Sequence, residues 1–333
     1  MGGHKMVDAA NILDTNLLDI QELKKYFPIR RGIFRKTVGW VQAVDGVSMF
    51  VRRGEALGLV GESGCGKSTL GKCIVKLLEP TSGKMFYKGE NIATMEVAQT
   101  KLFRRKVQAI FQDPYSSLNP RMSVGEIVGE PLKVHRLYSA VDRKSKVREL
   151  FEKVGISPDY VTRFPHEFSG GQRQRIGIAR ALALNPEFII CDEPVSALDV
   201  SVQAQVINLL DDLKDEFDLS YLFIAHDLSV VEHVCDRIAV MYLGKIVEIA
   251  KDTELYTHPL HPYTQALLSA IPMPDPKRKK ERALLRGEVP SPINPPAGCR
   301  FHPRCTLKEE KCAHEEPVLR QLQEDHYAAC HLV

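Results

Sequence analysis

The stretch Gly61-Glu62-Ser63-Gly64-Cys65-Gly66-Lys67-Ser68 decides the fold of this chain. It matches the phosphate-binding pattern G-x-x-x-x-G-K-[ST] and follows the apolar run Ala56–Val60, which predicts a strand. Glycines let the backbone curl, so that successive N–H groups point at phosphate oxygens. A helix predicted over Thr69–Glu79 presents its positive end to the same anion. The stretch therefore predicts a nucleotide site in an α/β domain.

Five further motifs follow this loop in the chain. They are Gln112 in Phe111-Gln112-Asp113-Pro114, Ser169-Gly170-Gly171-Gln172, the strand-end pair Asp192-Glu193, Ser196-Ala197-Leu198-Asp199, and His226. Each motif alone is weak, but all six in this order and spacing resemble the ATP-binding subunits of ABC transporters. The resemblance covers about Leu18–Ala250. It implies an α/β P-loop ATPase core with an inserted helical subdomain.

Apolar runs and helical segments alternate along the chain, as in layered α/β domains. Strands are predicted at Val47–Val51, Ala56–Val60, Lys84–Lys88, Val107–Phe111, Glu187–Cys191, Ser220–Ala225, Arg237–Met241 and Lys245–Ile249. Helices are predicted at Val124–Lys133, Arg143–Val154, Ile176–Leu184, Val202–Phe217 and Leu228–Val234. Strand patterns stop between residues 113 and 168, where we expect the helical subdomain.

The chain is expected to divide into an ATPase domain, residues 1–250, and a C-terminal region, residues 251–333, with a small Cys-rich part. Seven prolines between Pro272 and Pro296 predict an irregular linker, in which the run Lys277–Lys280 is a solvated basic patch. The 333 residues carry 45 basic and 42 acidic side chains, a net charge of +3 that does not demand nucleic acid. No apolar run approaches the roughly 18–20 residues that span a bilayer. The first ten residues show no apolar signal core, so a cytosolic or peripheral location is expected.

The resemblance assigns roles to residues of this sequence. ATP-binding residues are expected to be Tyr26, Gly61, Ser63, Gly64, Cys65, Gly66, Lys67, Ser68, Thr69, Gln112, Ser169, Gly170, Gly171, Gln172, Asp199 and His226. Mg²⁺ is expected at Ser68, Gln112 and Asp192. Lys67 would hold the phosphates, Glu193 would orient and deprotonate the attacking water, and His226 would hydrogen-bond the γ-phosphate. Gln112 would contact Mg²⁺ or water and sense a membrane subunit.

The aromatic side chain that stacks on adenine is less well defined by the sequence. Tyr26 is our choice, with Phe27 and Phe34 as alternatives, because Pro28–Trp40 looks inserted relative to the commonest pattern of the family. Packing of Tyr26 in the core is the competing interpretation.

In this family two ATPase units face each other head to tail. Ser169 and Gly171 of one unit would then contact the γ-phosphate that the other unit holds, with Asp199 at the seam. ATP would close the dimer and hydrolysis would open it.

Further stretches resemble the oligopeptide/dipeptide and nickel importer subfamily, in particular its "F" type subunit. They are Phe111–Pro120, His261–Leu268, Gly287–Pro292 and Cys299–Cys305. The resemblance implies two transmembrane permease subunits, a second homologous ATPase subunit in a heterodimer, and an extracytoplasmic peptide-binding protein that acts indirectly. It places the chain peripherally on the cytoplasmic face of the cell inner membrane, with no nucleic acid partner. The expected cargo is a di- or oligopeptide, with nickel or another solute as the alternative.

Four cysteines close to the C-terminus have the spacing C-x5-C-x6-C-x17-C. They are Cys299, Cys305, Cys312 and Cys330. Structural zinc usually shows tight C-x2-C pairs, which are absent here, whereas four thiolates suit a [4Fe–4S] cluster. The resemblance favours the cluster, in a structural or redox-sensing role; zinc, free thiols and disulfides are the alternatives.

Two other classes of protein share part of this pattern. Soluble ABC ATPases that act on DNA or ribosomes carry long coiled coils or two ATPase units in one chain, and this sequence has neither. A P-loop kinase would leave Ser169–Gln172 and His226 unexplained. The sequence therefore favours a transport ATPase.

Overall fold

The computed structural model describes residues 16–271 and 287–333. Most of the predicted linker, with its basic run Lys277–Lys280, lies outside the described residues. The chain forms two compact units. Unit 1 contains the described residues up to Thr94 and those from Ala225 onward, and unit 2 contains Met95–Ile224. None of the helices in the described ranges has the length and apolar character needed to cross a membrane.

The strands are as follows, in chain order: β1 Asn16–Arg31, β2 Lys36–Arg52, β3 Ala56–Val60, β4 Ser82–Tyr87, β5 Glu90–Asn91, β6 Val107–Ile110, β7 Phe188–Asp192, β8 Ser220–Ala225, β9 Arg237–Tyr242, β10 Lys245–Lys251, β11 Arg320–Gln323 and β12 His326–Ala328. Each predicted strand coincides with one of these within a few residues, except that Val47–Val51 is only the end of β2.

The α-helices are α1 Lys67–Ile74, α2 Val97–Lys106, α3 Pro114–Ser117, α4 Val124–Val134, α5 Ala140–Lys153, α6 Gly170–Leu182, α7 Val200–Phe217, α8 Leu228–Val231, α9 Asp252–Thr257 and α10 Pro262–Ala270. Short 3-10 turns occur at Ile92–Thr94, Pro158–Thr162, Pro165–Glu167 and Glu310–Ala313.

Unit 1 contains two groups of strands. One is an antiparallel sheet with the order β2-β1-β4-β5. In the other, β3 is parallel to β9, and β10, β12 and β11 follow in antiparallel pairings. Every residue of β3 and β9 is buried, which is typical of strands covered on both faces. The last strands of the chain therefore extend the sheet that carries the predicted phosphate loop.

The hairpin of β1 and β2 is the largest element that the sequence did not predict. Its pairing runs from Asn16 opposite Arg52 to Arg31 opposite Lys36, and β1 shifts register against β2 at five places. Each shift breaks the alternation of apolar and polar residues, because a bulge turns the next side chain to the other face. The segment Pro28–Trp40, which looked inserted, forms the far end of this hairpin.

Helix α1 ends at Ile74, five residues earlier than predicted. The cause is Lys76, whose φ of 55° is left-handed, while the N–H groups of Leu77 and Leu78 donate to the carbonyl of Lys72. A left-handed residue at this point closes the last turn and stops the helix.

Unit 2 combines three parallel strands with helices. Strand β7 lies between β6 and β8, and β7 and β8 are buried along their whole length. Between residues 113 and 168 the regular elements are helices and 3-10 turns, as predicted. Helix α4 begins with a capping box, in which Ser123 accepts from the N–H of Glu126 and the Glu126 carboxylate accepts from the N–H of Ser123.

A buried ion pair in unit 1 joins the turn before β3 to the start of β9. Arg237 Nη1 donates to Glu55 Oε1 at 2.9 Å, and the two side chains are 2% and 6% exposed. The guanidinium also lies 4.3 Å from the ring centroid of Phe50. Removing one partner of such a pair leaves the other charge uncompensated.

We expect Glu55→Gln to lower the free energy of unfolding by about 3 kcal/mol, because Arg237 would keep a buried charge without its counterion. Glu309→Gln is the matched control. It removes the same charge from the exposed pair Glu309–Lys311, whose side chains are 54% and 43% exposed, and it should cost less than about 1 kcal/mol. Denaturant unfolding followed by circular dichroism measures both, and equal losses would contradict the interpretation.

Candidate nucleotide site

The backbone of Gly61–Ser68 can only be built with glycine at two positions. Gly61 and Gly66 have φ of 154° and 113°. A Cβ atom at Gly66 would lie 2.0 Å from the carbonyl oxygen of Ala43, and one at Gly61 would lie 2.1 Å from that of Met241. The loop is therefore packed directly against the backbone of β2 and β9. Gly66 precedes α1, so the loop leads into the helix at Lys67.

Lys67 is held within the loop that it belongs to. Its side chain is buried, and Nζ donates to the carbonyl oxygens of Gly61 at 2.7 Å and Glu62 at 3.1 Å. Cys65 is also buried, and burial raises the pKa of its thiol. Ser63 and Gly64 are exposed at the tip of the loop, and Ser68 and Thr69 are half-buried in the first turn of α1.

Tyr26 lies on β1 and its hydroxyl donates a hydrogen bond to Asp45 on β2. Burial, together with the hydrogen bond to the Asp45 carboxylate, raises the pKa of Tyr26 to about 12. Asp45 also forms ion pairs with Arg300 and Lys245. Burial opposes ionisation of Asp45, but the hydrogen bond from Tyr26 and the two cations lower its pKa. The hydroxyl of Tyr26 is therefore fixed by Asp45, and stacking of its ring on adenine stays a prediction.

In unit 2, Gln112 and Glu193 are in direct contact. Gln112 Nε2 donates to Glu193 Oε2 at 2.8 Å. Asp192 is the buried last residue of β7, and Glu193 follows with a left-handed φ of 47° and donates its N–H to the carbonyl of Ile224 at 3.0 Å. A non-glycine residue in this conformation carries strain that the surrounding structure must hold.

The signature Ser169-Gly170-Gly171-Gln172 forms the start of α6. Ser169 accepts from the N–H of Gln172 at 3.3 Å, and the side chain of Gln172 accepts from the N–H of Ser169 at 3.0 Å. This capping box fixes the direction of the helix, with Gly170 and Gly171 in its first turn.

The segment after Glu193 is also ordered by hydrogen bonds. The Ser196 hydroxyl donates to the carbonyl of Glu193 at 3.1 Å. Asp199 precedes α7, and its carbonyl accepts from the N–H groups of Val202 and Gln203. Asp199 itself is exposed.

The predicted site residues divide between the two units. Tyr26, the stretch from Gly61 to Thr69, and His226 belong to unit 1, where His226 is exposed directly after β8. Gln112, Asp192–Glu193, Ser169–Gln172 and Asp199 belong to unit 2. Within each unit the motifs lie at strand ends and helix starts, and their roles toward ATP stay predictions.

Sequence reasoning missed the partners of Glu62 in the phosphate loop. Its carboxylate is bound by Arg304, and its N–H donates to the hydroxyl of Tyr263. Both partners lie in stretches that had been singled out only for their resemblance to a subfamily. No spacing or periodicity connects residues that are 242 positions apart.

The four tail cysteines lie near one another but do not form a metal-binding group. Cys312 and Cys330 are buried and Cys299 and Cys305 half-buried. Burial first, and then the neighbouring thiols, raise the pKa of Cys299 to about 11. Among the residues that the structure describes, no three His, Cys, Asp or Glu side chains are placed to hold a metal ion. The arrangement therefore does not support the expected [4Fe–4S] cluster or the zinc alternative.

Comparison with known proteins identifies the family. Residues 44–196 match the model described as "ABC transporter", and residues 247–312 match "Oligopeptide/dipeptide transporter, C-terminal region". The chain is 54% identical to the oligopeptide transport ATP-binding protein AppF of Bacillus subtilis over 95% of this chain and 97% of that protein. It is 51% identical to the dipeptide transport ATP-binding protein DppF of Haemophilus influenzae over the same shares of the two chains.

Solved structures show the same fold. The ATP-binding cassette MJ0796, in a dimeric structure bound to ADP and Pi, aligns with a TM-score of 0.62 and 26% identity, over 70% of this chain and 98% of that one. CbiO1 of Clostridium perfringens, part of an ABC transporter complex, aligns with a TM-score of 0.63 and 25% identity, over 73% and 92%. These likenesses confirm the predicted fold class and resemblance: the chain belongs to the ABC-type ATPases, in the family of oligopeptide/dipeptide transport ATP-binding proteins.

Proposed function

We propose that this chain binds and hydrolyses ATP to power the import of oligopeptides or dipeptides by an ABC transporter. The observation that carries the proposal is the identity of 50% or more, over 95% of the chain, to proteins named for peptide transport. The match of residues 247–312 to the oligopeptide/dipeptide C-terminal region supports the same cargo class. We keep the division into an ATPase domain, 1–250, and a C-terminal region, 251–333, as part of this proposal.

The proposed chemistry relies on positioning and charge neutralisation, which is most of what phosphoryl transfer needs from a protein. In unit 1, Lys67 and the loop N–H groups would bind the phosphates, and Ser68 would hold Mg²⁺. Asp192 and Gln112, which belong to unit 2, keep their predicted role as Mg²⁺ ligands, and Mg²⁺ would neutralise charge that develops on the phosphates. The remaining members of the predicted ATP-binding set keep the roles given above, including His226 at the γ-phosphate.

Glu193 is the proposed general base. The hydrogen bond from Gln112 holds one carboxylate oxygen of Glu193, and the left-handed backbone fixes where the side chain starts. The other carboxylate oxygen, Oε1, would orient the attacking water and take its proton. Both contacts restrict the orientation of the Glu193 carboxylate, which is what a general base requires.

The proposed assembly has two copies of the ATPase fold and two membrane permease subunits. Ser169 and Gly171 of this chain would complete the ATP site of a second, homologous ATPase subunit, and Asp199 would lie at the seam. A peptide-binding protein outside the membrane would select the cargo without touching this chain. The place of the chain would then be the cytoplasmic face of the membrane, bound to the permeases. The names of the relatives support this arrangement, since they are ATP-binding proteins of transport systems.

A metal group at Cys299, Cys305, Cys312 and Cys330 remains a secondary proposal, with a [4Fe–4S] cluster preferred over zinc. The presence of four cysteines in the spacing C-x5-C-x6-C-x17-C supports it. The positions of the four thiols do not support it, because no three ligand side chains in the described residues are placed to hold a metal ion. We therefore assign the group no step in hydrolysis.

Glu193→Gln should bind ATP but hydrolyse it roughly 10²–10⁴-fold more slowly, because the amide still accepts from Gln112 but cannot take a proton. Glu187→Gln is the matched control, since Glu187 directly precedes β7 and Glu193 directly follows it. ATP turnover of the purified chain and of the reconstituted complex measures both. Turnover near normal in the purified Glu193→Gln chain would reject the role.

Tagged chain purified from gently solubilised native membranes should bring down two multi-span subunits and a second ATPase. Mass spectrometry of the purified material identifies them. Recovery of ribosomes or DNA-repair factors instead, with no membrane protein, would favour a soluble ATPase and overturn the transport proposal.

Anaerobically purified chain should show visible charge-transfer absorption and acid-labile sulfide if the tail binds a [4Fe–4S] cluster. A variant with Cys299→Ser and Cys312→Ser should lose both signals, whereas Cys73→Ser, in buried helix α1, should keep them. Stoichiometric zinc without labile sulfide would select the alternative. Absence of any metal would remove the proposal.

A further inference from the structure

Two segments of the C-terminal region meet at one residue of the phosphate loop, Glu62. Arg304 binds its carboxylate with both terminal nitrogens, Nη1 to Oε2 at 2.6 Å and Nη2 to Oε1 at 3.0 Å. The side chain of Arg304 is 6% exposed and that of Glu62 is 25% exposed. A two-point contact between guanidinium and carboxylate is among the stronger and more directional polar interactions in proteins.

The second segment reaches Glu62 through Tyr263 at the start of α10. The Glu62 N–H donates to the Tyr263 hydroxyl at 2.9 Å. The Tyr263 ring is fully buried and packs against Tyr242 and Phe301, with centroids 4.7 and 5.4 Å away. His261 caps this helix by accepting the N–H of Tyr263 on Nδ1 at 3.1 Å. The hydroxyl that holds Glu62 is therefore fixed by its own surroundings.

The start of α10 is anchored in turn to a buried carboxylate on β10. Glu248 is 0% exposed and accepts from the N–H groups of Leu260 at 2.8 Å and His261 at 2.9 Å. Its Oε1 also lies 2.8 Å from His326 Nε2 on β12. This network connects the sheet, the helix and the last strand of the chain.

The remaining backbone group of Glu62 contacts the lysine of the phosphate loop. The carbonyl of Glu62 accepts from Lys67 Nζ at 3.1 Å. The N–H and carboxylate of Glu62 are thus held by the C-terminal region, while its carbonyl touches the side chain proposed to bind the phosphates.

We infer that Arg304 is a positioning residue for ATP binding, which acts through Glu62 by holding the phosphate loop in place and by neutralising the Glu62 carboxylate. Without Arg304, the unpaired Glu62 carboxylate within the phosphate loop would repel the phosphates of ATP and would compete with them for Lys67. The inference rests on the proposed role of Gly61–Ser68 in phosphate binding. It makes the C-terminal region a part of the nucleotide site, beyond any role in assembly.

The test is ATP affinity, measured by titration of the purified chain with a fluorescent ATP analogue and competition by MgATP. Arg304→Gln should weaken binding about tenfold, in keeping with an ion pair that is removed from one side only. In a Glu62→Gln background the same Arg304→Gln change should alter affinity less than about twofold, because no carboxylate is left unpaired. Arg304→Lys should recover part of the loss, since an ammonium restores the charge but not the two-point contact.

Arg52→Gln is the matched control. Arg52 makes a two-point contact with Asp325, so that this pair also joins the C-terminal region to the rest of unit 1, but it ends on β2 and not on the phosphate loop. Arg52→Gln should lower the unfolding temperature and leave ATP affinity unchanged. For Arg304→Gln, the KM for ATP should rise more than kcat falls.

Three results would overturn the inference. They are unchanged ATP affinity in Arg304→Gln, an equal loss in Arg52→Gln, and an Arg304→Gln effect that persists in the Glu62→Gln background. Lys67→Ala separates this failure from failure of the proposed function. If wild-type chain binds ATP and Lys67→Ala does not, the phosphate loop keeps its proposed role whatever Arg304 does. If Lys67→Ala binds ATP normally, the proposed role of the loop fails, and the inference fails with it.

Discussion

The structure around the predicted nucleotide site depends on how closely the loop Gly61–Ser68 approaches two neighbouring strands. At Gly61 and Gly66 there is no room for a Cβ atom, because the carbonyl groups of Met241 and Ala43 occupy that space. This contact sets the height of the loop above the sheet and the direction in which α1 starts. The place of Lys67, the first residue of α1, follows from it.

A second layer of contacts then fixes the loop from the side of the C-terminal region. The phosphate loop supplies Glu62, the tail supplies Arg304 and Tyr263, and the sheet supplies Glu248, which orders the helix that carries Tyr263. Burial of these charged groups makes the contacts specific, since a buried charge without its partner is unfavourable. The oligopeptide/dipeptide C-terminal region is in this way integrated into the ATPase unit, as the grouping of residues from Ala225 onward with those up to Thr94 also indicates.

Much of the fold was predictable from the sequence, because buried parallel strands such as β3 and β7 are short continuous apolar runs that end in recognisable motifs. The hairpin of β1 and β2 was not predictable by alternation, because five register shifts interrupt the pattern. The end of α1 depends on one left-handed residue, Lys76, which no helix propensity marks.

The candidate site, like the fold, was predictable from the sequence only in part. The motifs predicted the site residues at strand ends, including Gln112 and Glu193, because each of these two residues lies in a short recognisable motif. The pairing of Glu62 with Arg304 was not predictable, because it joins two distant segments through chemistry that any arginine and glutamate could share. The metal group at the tail cysteines was expected from their number and from the resemblance, and neither of these fixes the geometry of four thiols: in the described residues, no three His, Cys, Asp or Glu side chains are placed to hold a metal ion.

The last strands of the chain also determine which sheet edge of unit 1 is open to pairing with another molecule. Strand β12 pairs with β10 through Glu248 and Ile249, and so covers a row of backbone N–H and C=O groups that would otherwise be open to another chain. The new outer edge is β11, four residues of sequence Arg-Gln-Leu-Gln that are mostly exposed. Such a short, polar edge is a poor template for sheet extension between molecules. The C-terminal region therefore ends this side of the unit 1 sheet in a short, polar strand instead of leaving the edge of β10 open.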